Sequence, residues 1–363
     1  MNSIEITRTN GNIPKALPNN DHISGLILTE GCNSEMQEIC MASSYEGLSD
    51  TVKEALESGY LEEQVNDFFN YSNGATLYIC IGYDVVNALK KIQSRANGEI
   101  RQVAIFSASD EYENGLLSDI KNTLDELEAE GRPMSAIVAI PADYALDQIV
   151  DTASSLRVSG YERISVVVGS LYNTIPCAGT VLGLIAAAAV NESISWVRKF
   201  PIVAADAKIA GTSIADIDKS VLDQFDQDGV IFFRTYTGLN GYYISDSHTI
   251  DVATSDYNTI ESVRTMDKAV RGIRTYLLPE LGAPLTLDPE TGCLAPDTVK
   301  HLETVASQQL TAMEKAGEIS GWSVEIDPAQ NVLATSTVEF VIKNVPIGVM
   351  RKASVKIGYA QSV

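Results

Sequence analysis

Short apolar runs alternate with amphipathic helical patterns through the first half of the chain. In the helical patterns, apolar residues recur every three or four positions, as at Leu117, Ile120 and Leu124. The runs are almost continuously apolar, as strands covered on both faces are. This alternation predicts an α/β fold, a doubly wound and mostly parallel sheet with helices on both sides. The predicted strands are residues 23–28, 76–81, 102–106, 136–140 and 163–168.

A helix rich in small residues follows this region. Ala178, Gly179 and Gly183 lie within it, and residues of this size are suited to close packing. Further strands are predicted at residues 202–205, 230–236 and 242–245, the last two joined by a glycine-bearing hairpin turn.

The pattern changes after about Asp251, where two long amphipathic helices are predicted at residues 259–278 and 296–315. Two strands with alternating apolar residues come next. The first strand contains Val338, Phe340 and Ile342, and the second contains Val355, Ile357 and Tyr359. These elements predict an α+β C-terminal domain that ends in a strand without an evident partner in its own chain.

Both ends of the chain are predicted to be extended arms. Near the N-terminus, Ile4 and Ile6 alternate with polar residues before Pro14 and Pro18 interrupt the chain. The predicted organisation is an N-terminal arm at 1–21, an α/β domain at 22–250, an α+β domain at 251–345, and a C-terminal arm or strand at 346–363.

Charge and composition limit the possible partners. The chain has 26 Lys and Arg against 48 Asp and Glu, a net charge of −22, which argues against nucleic acid as a partner. The five cysteines form no C-x-x-C pair, which is typical of reduced thiols in a cytoplasm. We see no apolar signal segment in the first 20 residues, and the longest apolar stretch is too short to span a bilayer, so we expect no membrane insertion.

The sequence offers little catalytic chemistry. His22, His248 and His301 lack metal-ligand spacing from one another. The chain also lacks a phosphate-binding loop, a dinucleotide fingerprint and a nucleophile elbow. We therefore predict no catalytic residue, no metal site and no cofactor.

An α/β enzyme or small-ligand domain of the cytosol is the alternative. Such a protein would bind its ligand at the carboxyl ends of the strands. This alternative predicts a deep polar pocket near Asp84, Asp110 or Ser170.

Several stretches resemble contractile tail-sheath proteins, and more narrowly the short sheath-like proteins of phages and phage-derived contractile injection systems. They are DGVIFFRTYTG at 228–238 leading to GYYISD at 241–246, SVRTMDKAVRGIR at 262–274, AGEISGW at 316–322 before the final strands, and AGTVLGLIA at 178–186 followed by Trp196. The resemblance spans most of the chain in order, although each stretch is degenerate.

The resemblance implies a structural subunit and not an enzyme. Sheath subunits form a helical sleeve of stacked hexameric rings around an inner tube, and the sleeve contracts to drive the tube through a target envelope. The implied partners are further copies of the chain, the tube protein, and baseplate and tail-terminator proteins. The implied location is a virion tail or a cytoplasmic injection particle, made in a bacterial host cytoplasm.

The resemblance also implies that the terminal arms pair with sheets of neighbouring subunits. A strand without a partner in its own chain is suited to such β-augmentation, and head-to-tail contacts that do not close build filaments. The residues predicted to make these contacts are Ile4, Ile6, Val355, Ile357 and Tyr359.

A basic stripe on the first long helix is a further candidate contact with the tube or a neighbouring subunit. Its residues recur every three or four positions and so share one side of the helix. The alternative is a solvated face whose charges pair with Glu261 and Asp267 and contribute little. The stripe consists of Arg264, Lys268, Arg271 and Arg274.

Overall fold

A computed structural model describes residues 21–29, 37–58, 61–72, 74–107, 112, 115–141, 143–171 and 176–359. The predicted arm residues Ile4 and Ile6, and the candidate pocket residue Asp110, lie outside the described residues.

The described elements alternate between strands and helices up to about residue 230. The strands are β1 (Ser24–Leu28), β2 (Glu38–Ala42), β3 (Leu77–Ile81), β4 (Gln102–Phe106), β5 (Ser135–Ala139), β6 (Ile164–Val167), β7 (Lys208–Ile209), β8 (Thr212–Ser213), β9 (Val230–Ile231), β10 (Phe233–Arg234), β11 (Tyr243–Ile244), β12 (Ile319–Glu325) and β13 (Val341–Pro346). The helices are α1 (Asp50–Ser58), α2 (Glu62–Tyr71), α3 (Val85–Arg95), α4 (Leu116–Ala129), α5 (Leu146–Ala153), α6 (Ala178–Ala187), α7 (Lys219–Asp228), α8 (Ile260–Leu277), α9 (Pro296–Lys315) and α10 (Val332–Thr335).

The central element is a seven-stranded sheet in the order β2-β3-β1-β4-β5-β6-β9. Its neighbouring strands are parallel, except for the antiparallel pair β2–β3. Every residue of β1 and β4 is buried, because helices cover both faces of the sheet. The structure thus confirms the predicted α/β class, whereas β2 is a strand that the sequence pattern did not predict.

Helix α6 packs closely, as its small residues led us to expect, and the structure shows that its partner is α2. A Cβ atom at Gly179 would lie 2.2 Å from the Gln64 carbonyl oxygen, and one at Gly183 would lie 2.9 Å from that of Phe68. Glycine at these two positions therefore allows the two helices to approach this closely. Thr180 donates a hydrogen bond of 2.7 Å to the Asp67 carboxylate across the same contact.

The strands predicted after α6 are shorter than expected. The segment 230–236 divides into β9, which joins the large sheet, and β10, which pairs with β11. The strand predicted at 202–205 is wrong, since this segment contributes a single bridge from Ile202 to Tyr242.

The C-terminal part combines α8 and α9 with the antiparallel pair β12–β13. Trp322, Val324 and Ile342 line the inner face of this pair and pack on a small core that includes Ala269 and Leu310. The pattern predicted the two long helices but no strand at residues 319–325, where β12 lies. In the single subunit residues 351–359 belong to no helix or strand, so the last predicted strand has no partner among the described residues of its own chain, and its pairing with a neighbouring subunit stays a prediction.

Candidate assembly surface

The C-terminal arm exposes alternating apolar side chains. Relative to a fully exposed residue, Val355 is 81% exposed, Ile357 95% and Tyr359 111%. Side chains two positions apart point to one side of an extended chain. Exposed apolar side chains in such a row are typical of a segment that binds another surface. Their pairing with a neighbouring sheet stays a prediction.

The β12–β13 pair has an open strand edge and exposed apolar side chains, to which an extended apolar segment such as the C-terminal arm could bind. Among the described residues, these two strands pair with each other and with no further strand, so each has an open edge. On the outer face, Val341 is 55% exposed and Val345 is 53% exposed. An open edge beside exposed apolar residues is suited to accept an additional strand.

An acidic clamp, defined here as Asp246, Ser247 and Glu261, holds the arm where it leaves β13. The Nε atom of Arg351 donates to Asp246 Oδ2 at 2.9 Å, and its Nη2 atom donates to Ser247 Oγ at 3.3 Å and to Glu261 Oε1. The carboxylates are largely buried, with side-chain exposures of 14% for Asp246 and 6% for Glu261. A planar guanidinium is well matched to two carboxylates placed in this way.

Hydrogen bonds among the residues of the acidic clamp orient its acceptor oxygens independently of Arg351. Ser247 donates through its backbone N–H to Asp246 Oδ1 at 2.7 Å and through its hydroxyl to Glu261 Oε2 at 2.6 Å. Ser193 lies behind it, with its hydroxyl oxygen 3.0 Å from that of Ser247. Burial lowers the pKa of Arg351, but Glu261 and Asp246 outweigh this effect and raise the pKa above its usual value.

The basic stripe of α8 lies mostly inside the molecule. Arg264 is only 4% exposed, and its guanidinium donates to the backbone oxygens of Ala188 and Ala189, just beyond α6. Burial lowers the pKa of Arg264 to about 10. At the other end of the stripe, Arg274 is exposed. Contact of the stripe with a tube or neighbour stays a prediction, and Arg264 could take part only if α8 moved away from α6.

Asp21, the last residue of the predicted N-terminal arm, binds the middle of the stripe. Its carboxylate lies 2.8 Å from both Lys268 Nζ and Arg271 Nη2, and its side chain is 9% exposed. Lys268 also pairs with Glu318 at 2.6 Å. We call this group the Asp21 anchor. No sequence pattern pointed to this anchor, since Asp21 and Arg271 are 250 residues apart.

The acids expected to pair with the stripe have other partners. Asp267 accepts two hydrogen bonds from Arg163, at 2.7 and 2.9 Å, and Glu128 binds the other side of the same guanidinium. Glu261 pairs with Arg351. The alternative interpretation of the stripe as a solvated face paired with these acids is therefore wrong. The acids instead fix α8 to the α/β domain and to the C-terminal arm.

A small pocket lies at the carboxyl ends of β5 and β6, where the enzyme alternative would place a ligand. Ser170, Tyr144 and Lys208 contribute to its lining, and its cavity volume is about 20 Å³. That is about the space of a single water molecule and far below the volume of a ligand pocket. Asp84 lies outside this lining, and it caps α3 by accepting the Asn87 N–H at 3.0 Å.

The described part of the chain shows few other binding features. We find no group of three or more His, Cys, Asp or Glu side chains there that could hold a metal ion. None of its helices combines the length and the apolar character needed to cross a bilayer.

Solved structures show which proteins share this fold. A chain of the anti-feeding prophage baseplate, from a six-fold symmetrised cryo-EM structure, has a TM-score of 0.64 and 13% identity, covering 99% of this chain and 100% of that one. A chain of the PVC sheath complex, an extracellular contractile injection system in its contracted state, has a TM-score of 0.64 and 12% identity, covering 99% of both chains. At this identity the likeness shows a shared fold over the whole length.

Sequence comparison places the chain in a family. No curated protein matches it. The DUF2586 N-terminal domain matches residues 1–248, and the DUF2586 C-terminal domain matches residues 256–363. The two matches together cover nearly the whole chain, and the protein belongs to the DUF2586 family.

Proposed function

We propose that the protein is the sheath subunit of a contractile tail or contractile injection particle. In this proposal, copies of the chain polymerise as a helical sleeve of stacked hexameric rings around an inner tube. Contraction of the sleeve then drives the tube through a target envelope. The role is structural and needs no catalysis.

The shared fold supports this proposal over its enzyme alternative. Both structural neighbours come from contractile injection particles, and each is covered over 99% or more of its length. The chain therefore matches these proteins as a whole, including the part that carries the arm and β12–β13. One structural neighbour is a baseplate chain and the other belongs to a sheath complex, and both share this fold. The fold therefore supports a role in a contractile injection particle more firmly than it supports a position in the sheath.

The C-terminal arm is the observation that carries the sheath assignment. Val355, Ile357 and Tyr359 are almost fully exposed in the single subunit, while β12–β13 has open edges. The arm of one copy can add to the sheet edge of the next through backbone hydrogen bonds, with its apolar side chains fixing the register. Because the donor and acceptor surfaces differ, the contact need not close on itself and can extend into a polymer.

The remaining partners follow from this arrangement. A sleeve requires a tube inside it, a baseplate at one end and a terminator at the other. The proposed location is accordingly the tail of a virion or an injection particle assembled in a bacterial cytoplasm. A net charge of −22 fits a subunit that must stay dispersed before assembly and carries no site for nucleic acid.

Removal of residues 353–363 tests the proposal. The truncated chain should remain folded, because the described residues 353–359 are exposed and lie outside the core. Circular dichroism and size-exclusion chromatography should show a folded monomer, and electron microscopy should show no sleeves in the presence of tubes. Normal sleeves from the truncated chain would refute the role of the arm.

A matched control retains the length and backbone of the arm. In this variant Lys352 and Lys356 are changed to Ser, which leaves the apolar side chains in place. Sleeves should still form, since β-augmentation depends on backbone hydrogen bonds and the apolar row.

A further inference from the structure

The α/β domain and the C-terminal domain, which correspond to the two DUF2586 matches, have separate apolar cores. Among the described residues, the main core reaches α8 only at its first residue, Ile260. The cores of the C-terminal domain contain only residues from Ala269 onwards. Two further buried residues, Val190 and Val263, belong to none of these cores. Apolar contact therefore joins the two domains mainly at the start of α8.

Beyond its first turn, α8 directs a polar face towards the α/β domain. Thr265 is 5% exposed, and its hydroxyl donates to the Val190 carbonyl oxygen at 3.2 Å. Asp267 accepts two hydrogen bonds from Arg163, at 2.7 and 2.9 Å. The guanidinium of Arg264 donates to three backbone carbonyl oxygens of the same domain. Hydrogen bonds and ion pairs therefore make most of the contact between the domains along α8.

The opposite face of α8 packs on α9. Ala269 is 2% exposed and lies in one small core with Leu310 and Met313 of α9. Gly272 permits a close approach of the two helices, since a Cβ atom there would lie 2.1 Å from the Gln309 side chain. Apolar packing thus joins α8 to α9 as one body, whereas polar contacts join α8 to the α/β domain.

An interface of buried ion pairs is weaker than an apolar interface of the same area. Removal of two charges from water costs a free energy similar to the one that their attraction returns, so a buried pair adds little net stability. When two such surfaces separate, water solvates both charged partners again, and little apolar surface is exposed. Polar interfaces between domains of one chain accordingly permit relative motion of the domains.

The first turn of α8 provides a pivot for such motion. Ile260 lies in the main core, and its backbone N–H donates to the Ser247 carbonyl oxygen at 2.9 Å. The acidic clamp reinforces the same turn through Glu261. At the far end of the polar face, Arg271 pairs with Asp21 at 2.8 Å. It lies eleven residues beyond Ile260, about 17 Å along the helix, so a rotation about the first turn displaces this contact most.

We propose that the C-terminal domain swings reversibly about the first turn of α8 while both domains stay folded, and that the ion pairs on the polar face of α8 hold it in the closed arrangement. The inference goes beyond the proposed function and does not depend on it, because every contact involved lies within one subunit. Opening uncovers Arg264, Lys268 and Arg271, which together form a basic face suited to an acidic partner.

Thiol labelling of the folded, full-length chain distinguishes this opening from unfolding. In the variant Thr265→Cys the thiol lies on the polar face, and in Ala269→Cys it lies in the core shared with α9. The two positions are one turn apart on α8 and similarly closed to solvent, at 5% and 2% exposure. Iodoacetamide reaches each thiol only when its surroundings open, so the labelling rate measures that opening. Mass spectrometry separates the introduced cysteine from the five native ones.

The expected result is labelling at residue 265 that is at least about tenfold faster than labelling at residue 269. Val190→Cys, on the α/β side of the same contact, is a second probe and should also react faster than Ala269→Cys. An increase in NaCl from about 0.05 M to about 0.5 M should raise the rate at residue 265 about threefold or more, because salt screens the attraction between the charges. The rate at residue 269 should change less than about twofold.

The variant Asp267→Asn weakens the closed arrangement, and Glu128→Gln is its matched control. Both carboxylates bind the Arg163 guanidinium, but Glu128 belongs to α4 of the α/β domain. Asp267→Asn, combined with Thr265→Cys, should raise the labelling rate about tenfold, since it removes a charge pair between the domains. Glu128→Gln in the same background should change that rate less than about twofold, because the contact between the domains remains.

Two outcomes would overturn the inference. Equal labelling rates at residues 265 and 269 would show that the interface opens only when the C-terminal domain unfolds. An equal rise for Asp267→Asn and Glu128→Gln would show that Arg163 stabilises its own domain and does not hold α8. Urea denaturation checks that each variant is folded, and Val190→Cys provides the comparison with Ala269→Cys if Thr265→Cys is not. Neither outcome bears on whether the chain forms sleeves, which tests the proposed function separately.

Discussion

Replacement of Ile357 by Ser is the sharpest test of a contact that forms only between subunits. Ile357 is 95% exposed in the single chain, so nearly all of its apolar surface remains to be buried. Complete burial of an isoleucine side chain contributes about 1.5–3 kcal/mol. The substitution should therefore weaken each subunit contact by about 2 kcal/mol.

This loss translates into a concentration that can be measured. Since about 1.4 kcal/mol corresponds to a tenfold change in an equilibrium constant, a loss of about 2 kcal/mol raises the critical concentration for polymerisation about 30-fold. The unfolding midpoint of the monomer should stay the same, because an exposed side chain contributes little to the fold.

Sedimentation of sleeves over a series of protein concentrations provides the assay. Lys356→Ser is the matched control, because residue 356 adjoins Ile357 but points to the opposite side of an extended chain. The control should change the critical concentration far less. An unchanged critical concentration for Ile357→Ser would show that Ile357 makes no contact between subunits. A lowered unfolding midpoint of the monomer would also contradict the prediction, since it would place Ile357 in a contact within its own subunit.

Two further predictions concern the helix pair α2–α6. Gly179→Ala should lower the free energy of unfolding by about 2 kcal/mol or more in urea denaturation, because its Cβ atom would meet the Gln64 carbonyl oxygen, whereas Gly321→Ala in open space should change it by about 0.5 kcal/mol or less. Burial raises the pKa of Asp67, so the folded state binds a proton more tightly than the unfolded state. The free energy of unfolding should therefore fall as pH rises from about 4 through the raised pKa of Asp67. Urea denaturation between about pH 4 and 7 should show that Asp67→Asn removes this dependence on pH. An unchanged dependence would contradict its assignment to Asp67.

The central sheet could be predicted because its strands are covered on both faces. Such strands are continuously apolar, and the predicted positions of β1, β3, β4, β5 and β6 are within one residue of the observed ones at each end. In contrast, β2 is only half-buried and, among the described strands, pairs with β3 alone, so Glu38 and the exposed Met41 interrupt any apolar pattern. Strand β12 contains Gly321 and lies mostly at intermediate burial, and therefore resembles the end of a helix in sequence.

The candidate site was harder to predict because its contacts join distant parts of the chain. The spacing of Arg264, Lys268 and Arg271 correctly indicated a stripe on one side of α8, but it could not show that Asp21 lies against that side. The pairing of Arg351 with Asp246 likewise spans 105 residues. A periodic pattern in the sequence shows which residues lie on the same face of a helix. It does not show which residues contact that face, because those contacts depend on tertiary packing.

The position of residues 353–359 in the assembled particle decides whether the C-terminal arm joins neighbouring subunits. A cryo-EM reconstruction of the full-length chain assembled on tubes would locate them directly. We expect these residues to form a strand on the open edge of the β12–β13 pair in a neighbouring subunit, with Arg351 still in the clamp of its own subunit. A reconstruction in which the segment folds back onto its own subunit, or in which the chain forms only discrete closed particles, would contradict it.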